Sequence, residues 1–396
     1  MNGEEDEEDD THSHSTQTPC VPLTLDEEEE SREREHFHRI VNAFRYYRKH
    51  SYLRIARAEH DFRKLSERHK LMCPTFTEHL NEVRLCVDHN YEVIKQIVAN
   101  TDHMFENIDY WLVQQDDQAT TDKWPLASSA DMDKVHSTMK QFVRDWSVEG
   151  EHERLVCYQP VLDEILAHFP PDKSDMESVM VLVPGAGLGR LAYEIARLGY
   201  TCQGNEWSLF MLFASNFVLN RCREVEMITI FPWVQQYQNR KANADQIRPC
   251  KIPDINPAVL PPGANFSMAA GDFLEIYKSS DAWHCVSTVF FIDTARNVME
   301  YIEKIWKILR PGGIWINMGP LLYHYSDMEG ETSIELSYEE IRNVMVQIGF
   351  DILKEREDDV TVPYSQNPRS MMKHVYDCVF FVARKPTFVP LEDPED

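Results

Sequence analysis

The sequence predicts an α/β fold, one seven-stranded sheet behind a helical N-terminal region, and three observations lead there. An unbroken apolar run at 179–183 closes on Pro184 and enters Gly185-Ala186-Gly187-Leu188-Gly189, the pattern of a strand buried on both faces that ends in a tight turn. From there to about residue 349, short apolar runs alternate with amphipathic helical stretches, as parallel strands with crossover helices require. Upstream, between Phe37 and Trp146, apolar residues recur at helical spacing, so a helical part precedes the alternation.

Residues 1–35 are acidic, poor in apolar residues and interrupted by Pro19 and Pro22, too little apolar surface to offset the entropy of ordering, so a disordered tail is expected. Residues 1–31 hold twelve acids and no Lys or Arg, which is nearly half of the chain's net charge of -26. With a pI near 5.0 this balance argues against sequence-independent binding to nucleic acid or to an anionic membrane, both of which need a basic footprint. The sequence has no apolar run near 18 residues and no apolar leader at its start, so neither a spanning helix nor a signal peptide is expected. The nine cysteines show no C-x-x-C spacing, which points to a reducing, cytoplasmic setting, with the nucleus open as well, and to no metal. His12, His14, His36 and His38 are scattered and read as solvated histidines rather than a metal tract.

The helical region, 36–150, carries its apolar positions in three groups: Ile40, Phe44 and Tyr47; Leu80, Val83, Val87, Val93 and Ile97; Val135, Met139, Phe142 and Trp146. The basic cluster from Arg45 to Arg63, with Tyr46, Tyr47 and Tyr52 interleaved, reads as the charged face of an amphipathic helix rather than a nucleic-acid surface. Gln141 and Arg144 are three residues apart and share a helix face, by themselves an ordinary surface pair, although an Arg near a cofactor site can grip a carboxylate with both arms.

The part from 151 to 396 is organised around the glycine turn. After it comes a helix through Leu191, Ile195 and Leu198, stopped by Gly199, and a second strand that ends on Glu206. Glycines 185, 187 and 189 let a ligand approach the backbone at a helix N-terminus, and an acid at the tip of the next strand can hold two ribose hydroxyls. The dinucleotide fingerprint G-x-G-x-x-G would need glycine where this chain has Arg190. G-x-G-x-G with an acid 17 residues after the third glycine is instead the pattern of enzymes that use S-adenosylmethionine.

Further along, 208–220 is an apolar helix, and 231–263, rich in proline and polar residues, reads as an insertion. A strand at 265–269 leads into Gly271-Asp272-Phe273, and another at 284–292 delivers Asp293 to the same rim; ligands of open parallel sheets bind beyond such carboxyl ends. Asp272 is placed to accept an adenine amino group. A helix at 297–309, a tight turn Arg310-Pro311-Gly312-Gly313, a strand at 314–317 and a loop with Tyr323, His324 and Tyr325 follow. A helix at 339–348, capped by Gly349, and two antiparallel strands, 350–356 and 376–384, complete the chain. Five β/α units, a helix and a terminal hairpin make up the seven-stranded, Rossmann-like methyltransferase arrangement.

On LVPGAGLGRLAYEIA, GNEWS, NFSMAAGDF, FFIDTA, LRPGGIWINMGPLLYH and SMMKHVYDCVFF, which span about 135–385, the chain resembles the carnosine N-methyltransferases. The resemblance implies methyl transfer from S-adenosylmethionine to the imidazole of the dipeptide carnosine, giving anserine, by an enzyme that forms a homodimer. It puts the cofactor against Gln141, Arg144, Gly185, Glu206, Asp272, Phe273 and Val289, and carnosine against Asp293, His324 and Tyr376. Methyl transfer from a sulfonium requires a neutral ring nitrogen held in line with the methyl carbon and no metal. A carboxylate on the other ring N–H fixes the tautomer and faces the charge that develops; Asp293 is the choice for that role, with His324 and Tyr376 orienting the ring and the dipeptide. The rival readings are the same fold acting on a histidine of a protein or on another small imidazole, and a regulator that binds S-adenosylmethionine without catalysis.

Overall fold

The computed structural model describes residues 25–99, 101, 126–172, 175–357 and 360–387. The N-terminal helices are α1 (Leu25–Arg63), α2 (Glu67–Met72), α3 (Phe76–Ile97), α4 (Ser129–Trp146), α5 (Glu151–Cys157) and α6 (Gln159–His168). Helix α1 starts inside the expected tail, so 25–35 are helical. Glu, Arg and Leu are strong helix formers, a weight that a composition argument for disorder leaves out. The rest of the expected tail, 1–24, lies outside the described residues.

The α/β part begins with β1 (Met180–Pro184), α7 (Arg190–Arg197), β2 (Thr201–Glu206), α8 (Leu209–Arg221), β3 (Ile228–Ile230), α9 (Asn243–Gln246), β4 (Cys250–Ile252), β5 (Phe266–Ala270) and α10 (Phe273–Ile276). It closes with β6 (Trp283–Val289), α11 (Val298–Ile308), β7 (Leu309–Gly319), α12 (Tyr338–Ile348), β8 (Asp351–Arg356), β9 (Thr361–Pro363), β10 (Val375–Asp377) and β11 (Val379–Arg384). Seven strands form one sheet in the order β5-β2-β1-β6-β7-β11-β8. Pairing from β5 to β7 is parallel, and β11 runs antiparallel to both β7 and β8. The strand order reverses between β1 and β6, which opens a crevice at their carboxyl ends, where α/β folds bind ligands.

The apolar positions read from helical spacing are all buried, from Ile40 to Trp146. They pack in one cluster with Leu188, Tyr193, Phe210, Phe213 and Phe217 of the α/β part and with Trp233, Cys250 and Ile252 of the insertion. The helical region therefore shares its core with the glycine-turn side of the sheet. The insertion is ordered: β4 pairs with β3, Ile228 opposite Ile252 and Ile230 opposite Cys250.

Three expected elements differ. The strand into Asp293 stops at Val289, because Phe290 takes φ 54°, a left-handed conformation that a bulky residue rarely adopts and that ends a strand. Asp293 instead sits on a short 3₁₀ turn, Ile292–Thr294. The turn at 310–313 is a bulge within β7, since the register passes from Trp283 opposite Leu309 to Cys285 opposite Ile314. The expected last strand is two: β11 joins the main sheet, whereas β10 pairs with β9 in a separate ribbon, where Tyr376 lies against Phe290 and Tyr364. Among the described residues no helix is long and apolar enough to cross a membrane, and no group of three metal-ligating side chains occurs.

Candidate active site

The glycine turn is held by its neighbours rather than being uniformly open. All three glycines have positive φ, yet they answer different needs. A Cβ on Gly185 would lie 2.5 Å from the Phe291 ring, and one on Gly189 would lie 3.1 Å from Leu219 and 3.3 Å from Met268, so these two serve packing. Gly187 is the one that opens on polar atoms: a Cβ there would sit 3.8 Å from Asp145 Oδ2 and 3.8 Å from Gln141 Nε2. The Gly187 N–H donates to Glu206 Oε2 at 2.9 Å, while Glu206 Oε1 accepts from Trp207 N–H at 2.9 Å and Ser208 N–H at 2.8 Å. Burial raises the Glu206 pKa, and these three N–H groups draw it back toward the charged form.

Gly271 N–H donates to the Glu206 carbonyl at 3.0 Å, which places Asp272 one residue beyond the tip of β2. Asp272 Oδ1 caps α10 by accepting from Leu274 N–H at 2.7 Å. Phe273 is buried edge-on against Phe291 at 5.5 Å and Tyr301 at 5.4 Å, and Phe291 stacks flat on Tyr301 at 4.7 Å. Val289, the last residue of β6, is buried opposite Met318. Gly185, Glu206, Asp272, Phe273 and Val289 thus gather along the carboxyl edge of β1, β2, β5 and β6.

Helix α4 closes this edge from the helical region. Gln141 Nε2 donates to Asp145 Oδ2 at 3.2 Å, and Tyr158 Oη donates to Asp145 Oδ1 at 2.7 Å. Arg144 Nε is 2.7 Å from Glu153 Oε1, and its guanidinium lies 4.5 Å from the ring of Tyr364, 5.3 Å from Phe290 and 5.4 Å from Tyr158. Gln141 and Arg144, an unremarkable pair by spacing, are both buried.

Beyond Phe290 the chain forms a second cluster. Asp293 is 2% exposed. Its Oδ2 accepts from Leu322 N–H at 2.9 Å, and its Oδ1 is buried with no hydrogen-bond partner among the described residues. Burial raises the Asp293 pKa, opposed by the Leu322 N–H and by His324. His324 is tied to it through the backbone, N–H to the Asp293 carbonyl at 3.0 Å. Tyr376 reaches the same cluster through Phe290, 5.9 Å away edge-on, with Tyr364 4.7 Å from Phe290.

A clamp outside the pocket fixes the end of α4. Arg154 Nη1 donates to the carbonyls of Arg144 at 2.7 Å and Ser147 at 2.8 Å, and Arg190 Nη1 to that of Asp145 at 2.6 Å. These cations cap the carbonyl end of the helix, where its dipole favours positive charge. Asp254, from the insertion, joins the two: it accepts from Arg154 Nη2 at 2.7 Å and from Arg190 Nη1 at 2.6 Å and Nη2 at 3.1 Å. Arg190, which the sequence used only to exclude a dinucleotide fingerprint, therefore holds the glycine-turn helix to α4. Tyr364 and Glu153 also escaped sequence reasoning; Phe290 entered it only within the stretch FFIDTA, and Asp145 had a signal in its i, i+4 spacing from Gln141.

The residues fit a nucleoside with an amino-acid tail. The crevice offers a carboxylate at the tip of β2, an open glycine facing buried polar side chains, and a charged helix end. A family model described as carnosine N-methyltransferase matches residues 121–387. A carnosine N-methyltransferase of Mus musculus is 54% identical over 351 residues, covering 89% of this chain and 86% of its own. The Drosophila melanogaster carnosine N-methyltransferase unmet is 42% identical over 374 residues, with 89% and 80% covered, and that of Schizosaccharomyces pombe 36% over 368 residues, with 87% and 94% covered.

Proposed function

The chain belongs to the carnosine N-methyltransferase family, and from that premise we propose that it methylates an imidazole nitrogen of carnosine to give anserine, through the residues gathered around Asp293. When bound, S-adenosylmethionine supplies the methyl group from its sulfonium. Glu206 would hold the ribose hydroxyls, Asp272 and Phe273 the adenine, Gly185 and Val289 the floor of the pocket, and Gln141 and Arg144 the amino-acid end.

The observation that carries the substrate reading is the orphan oxygen of Asp293. A buried acceptor without a partner costs about 1–3 kcal/mol or more, and an imidazole N–H is a donor of the right kind to satisfy it. Asp293 would then fix the ring so that its other nitrogen presents a lone pair to the methyl carbon. As that nitrogen forms its bond to carbon, positive charge spreads over the ring, and the carboxylate at the opposite N–H stabilises it. The N–H proton stays shared with Asp293 until the methylated ring leaves. His324, anchored to the Asp293 backbone, and Tyr376, packed on Phe290, border the place where the rest of the dipeptide would lie. Phe290 and Tyr364, whose rings also carry the Arg144 guanidinium, border the same space.

The test is Asp293→Asn, assayed by mass spectrometry with carnosine, free histidine and histidine peptides offered side by side. Asn keeps the size but presents an N–H to a ring N–H, so methylation of carnosine should fall by about 10² to 10⁴ with cofactor binding nearly unchanged. A variant that keeps more than a tenth of the rate at saturating carnosine would overturn the role of Asp293. A wild type that prefers histidine peptides would overturn the choice of substrate.

A further inference from the structure

We propose that Asp145 binds the α-ammonium group of the cofactor's amino-acid end, next to the Arg144 already considered for its carboxylate. The proposal rests on S-adenosylmethionine being the cofactor. Its physical basis is the pattern of ion pairs. Around the end of α4 the neighbouring carboxylates lie within ion-pair distance of guanidiniums: Glu153 of Arg144, Asp254 of Arg154 and Arg190, and Glu194 of Arg190 and Arg197. Asp145 has no such contact among the described residues. It is 1% exposed, and the two side chains that bond it, Tyr158 and Gln141, are neutral. Arg144 and Arg154 act on Asp145 electrostatically from beyond ion-pair distance, and a buried carboxylate whose hydrogen-bond partners are neutral side chains is complementary to a ligand that brings a cation into contact.

The carboxylate also faces the right way. Its Oδ2 lies 3.8 Å from where a Gly187 side chain would begin, and Gly187 is the glycine whose N–H reaches Glu206. The turn thus runs between the acid suited to the ribose and Asp145. An ammonium offers three N–H donors to the lone pairs that Tyr158 and Gln141 leave free; a sulfonium, the cofactor's other cation, offers none.

The experiment is titration calorimetry with S-adenosylhomocysteine, which carries the ammonium but no sulfonium, and with its deamino analogue, which carries neither. The wild type should bind S-adenosylhomocysteine at least about tenfold more tightly than the deamino compound, since one charge-assisted hydrogen bond is worth roughly 10- to 100-fold. Asp145→Asn, which can still accept from Tyr158, should weaken S-adenosylhomocysteine by a similar factor and the deamino analogue by less than about threefold. Equal weakening of both, or weakening of neither, overturns the proposal. Should the variant fail to fold, the wild-type pair decides alone: a preference under about threefold overturns it. If the wild type binds the deamino compound as tightly as the parent, only the role of Asp145 falls. If it binds no S-adenosylhomocysteine at all, the cofactor reading falls and takes the proposal with it.

Discussion

Replacing Asp254 by alanine should loosen the cofactor pocket from behind. The carboxylate accepts three bonds from Arg154 and Arg190, at 2.7, 2.6 and 3.1 Å, and the side chains involved are 9%, 11% and 5% exposed. Breaking a buried ion pair by deleting one partner costs about 3–5 kcal/mol. Each arginine keeps other acceptors, Arg190 the Glu194 carboxylate and the Asp145 carbonyl, Arg154 the carbonyls of Arg144 and Ser147, which sets the expectation at the lower end, about 3 kcal/mol. In a chain of this size that corresponds to a drop of roughly 4 °C in Tm. The end of α4 would also lose its tether to the insertion, so the stabilisation added by S-adenosylhomocysteine should shrink as well. Thermal melting with and without that ligand reads both effects, and Asp254→Asn should fall between. A variant that melts within about 1 °C of the wild type would refute the claim that Asp254 holds the two arginines together.

Three further expectations follow from the site. Glu206→Ala removes the acceptor of three backbone N–H groups as well as the proposed ribose contact, so cofactor affinity by calorimetry should fall at least about tenfold; unchanged affinity would take Glu206 out of the pocket. Arg144→Lys cannot reproduce a planar guanidinium set among Tyr158, Phe290 and Tyr364, so S-adenosylmethionine should bind more weakly while adenosine is nearly unaffected, and equal weakening would mark a purely structural role. Because the Asp293 pKa is raised by burial and the ionised form is the one that orients the ring, kcat at saturating carnosine should fall as pH drops through a value above the ordinary 3.8, and this limb should vanish in Asp293→Asn. An acid limb of the same position in both proteins would contradict the assignment.

Periodicity and glycine placement made the sheet and most of its helices legible, because both are local consequences of burial. The acids Glu206, Asp272 and Asp293 stood out for a related reason: each is a charged residue that closes an apolar or small-residue run, although for Asp293 that run ends in a turn and not a strand. What stayed hidden depends on contacts between distant stretches. Nothing around residue 290 announces a left-handed backbone, so the early end of β6 and the turn carrying Asp293 could not be read. The ribbon of β9 and β10 has three-residue strands, too short for an alternation to show, and with it Tyr364 was missed. Arg190, Arg154 and Asp254 form a clamp only once the insertion folds back on α4; along the chain they are three unrelated charges.

The kink at Phe290 has a consequence for how such a protein changes over descent. Its N–H still joins the ladder, donating to Met318 at 2.8 Å, and Gly319 leaves it room, since a Cβ there would lie 3.1 Å from the Phe290 nitrogen. The two consecutive rings then part company: Phe290 goes to Tyr364, Tyr376 and Arg144, Phe291 to Gly185, Phe273 and Tyr301. One ring belongs to the neighbourhood proposed for the acceptor and the other to that of the donor, with a single peptide between them. Lineages that take a new acceptor should therefore replace 290, 364 and 376 as a set, while 185, 273, 291 and 301 pass down together unaltered.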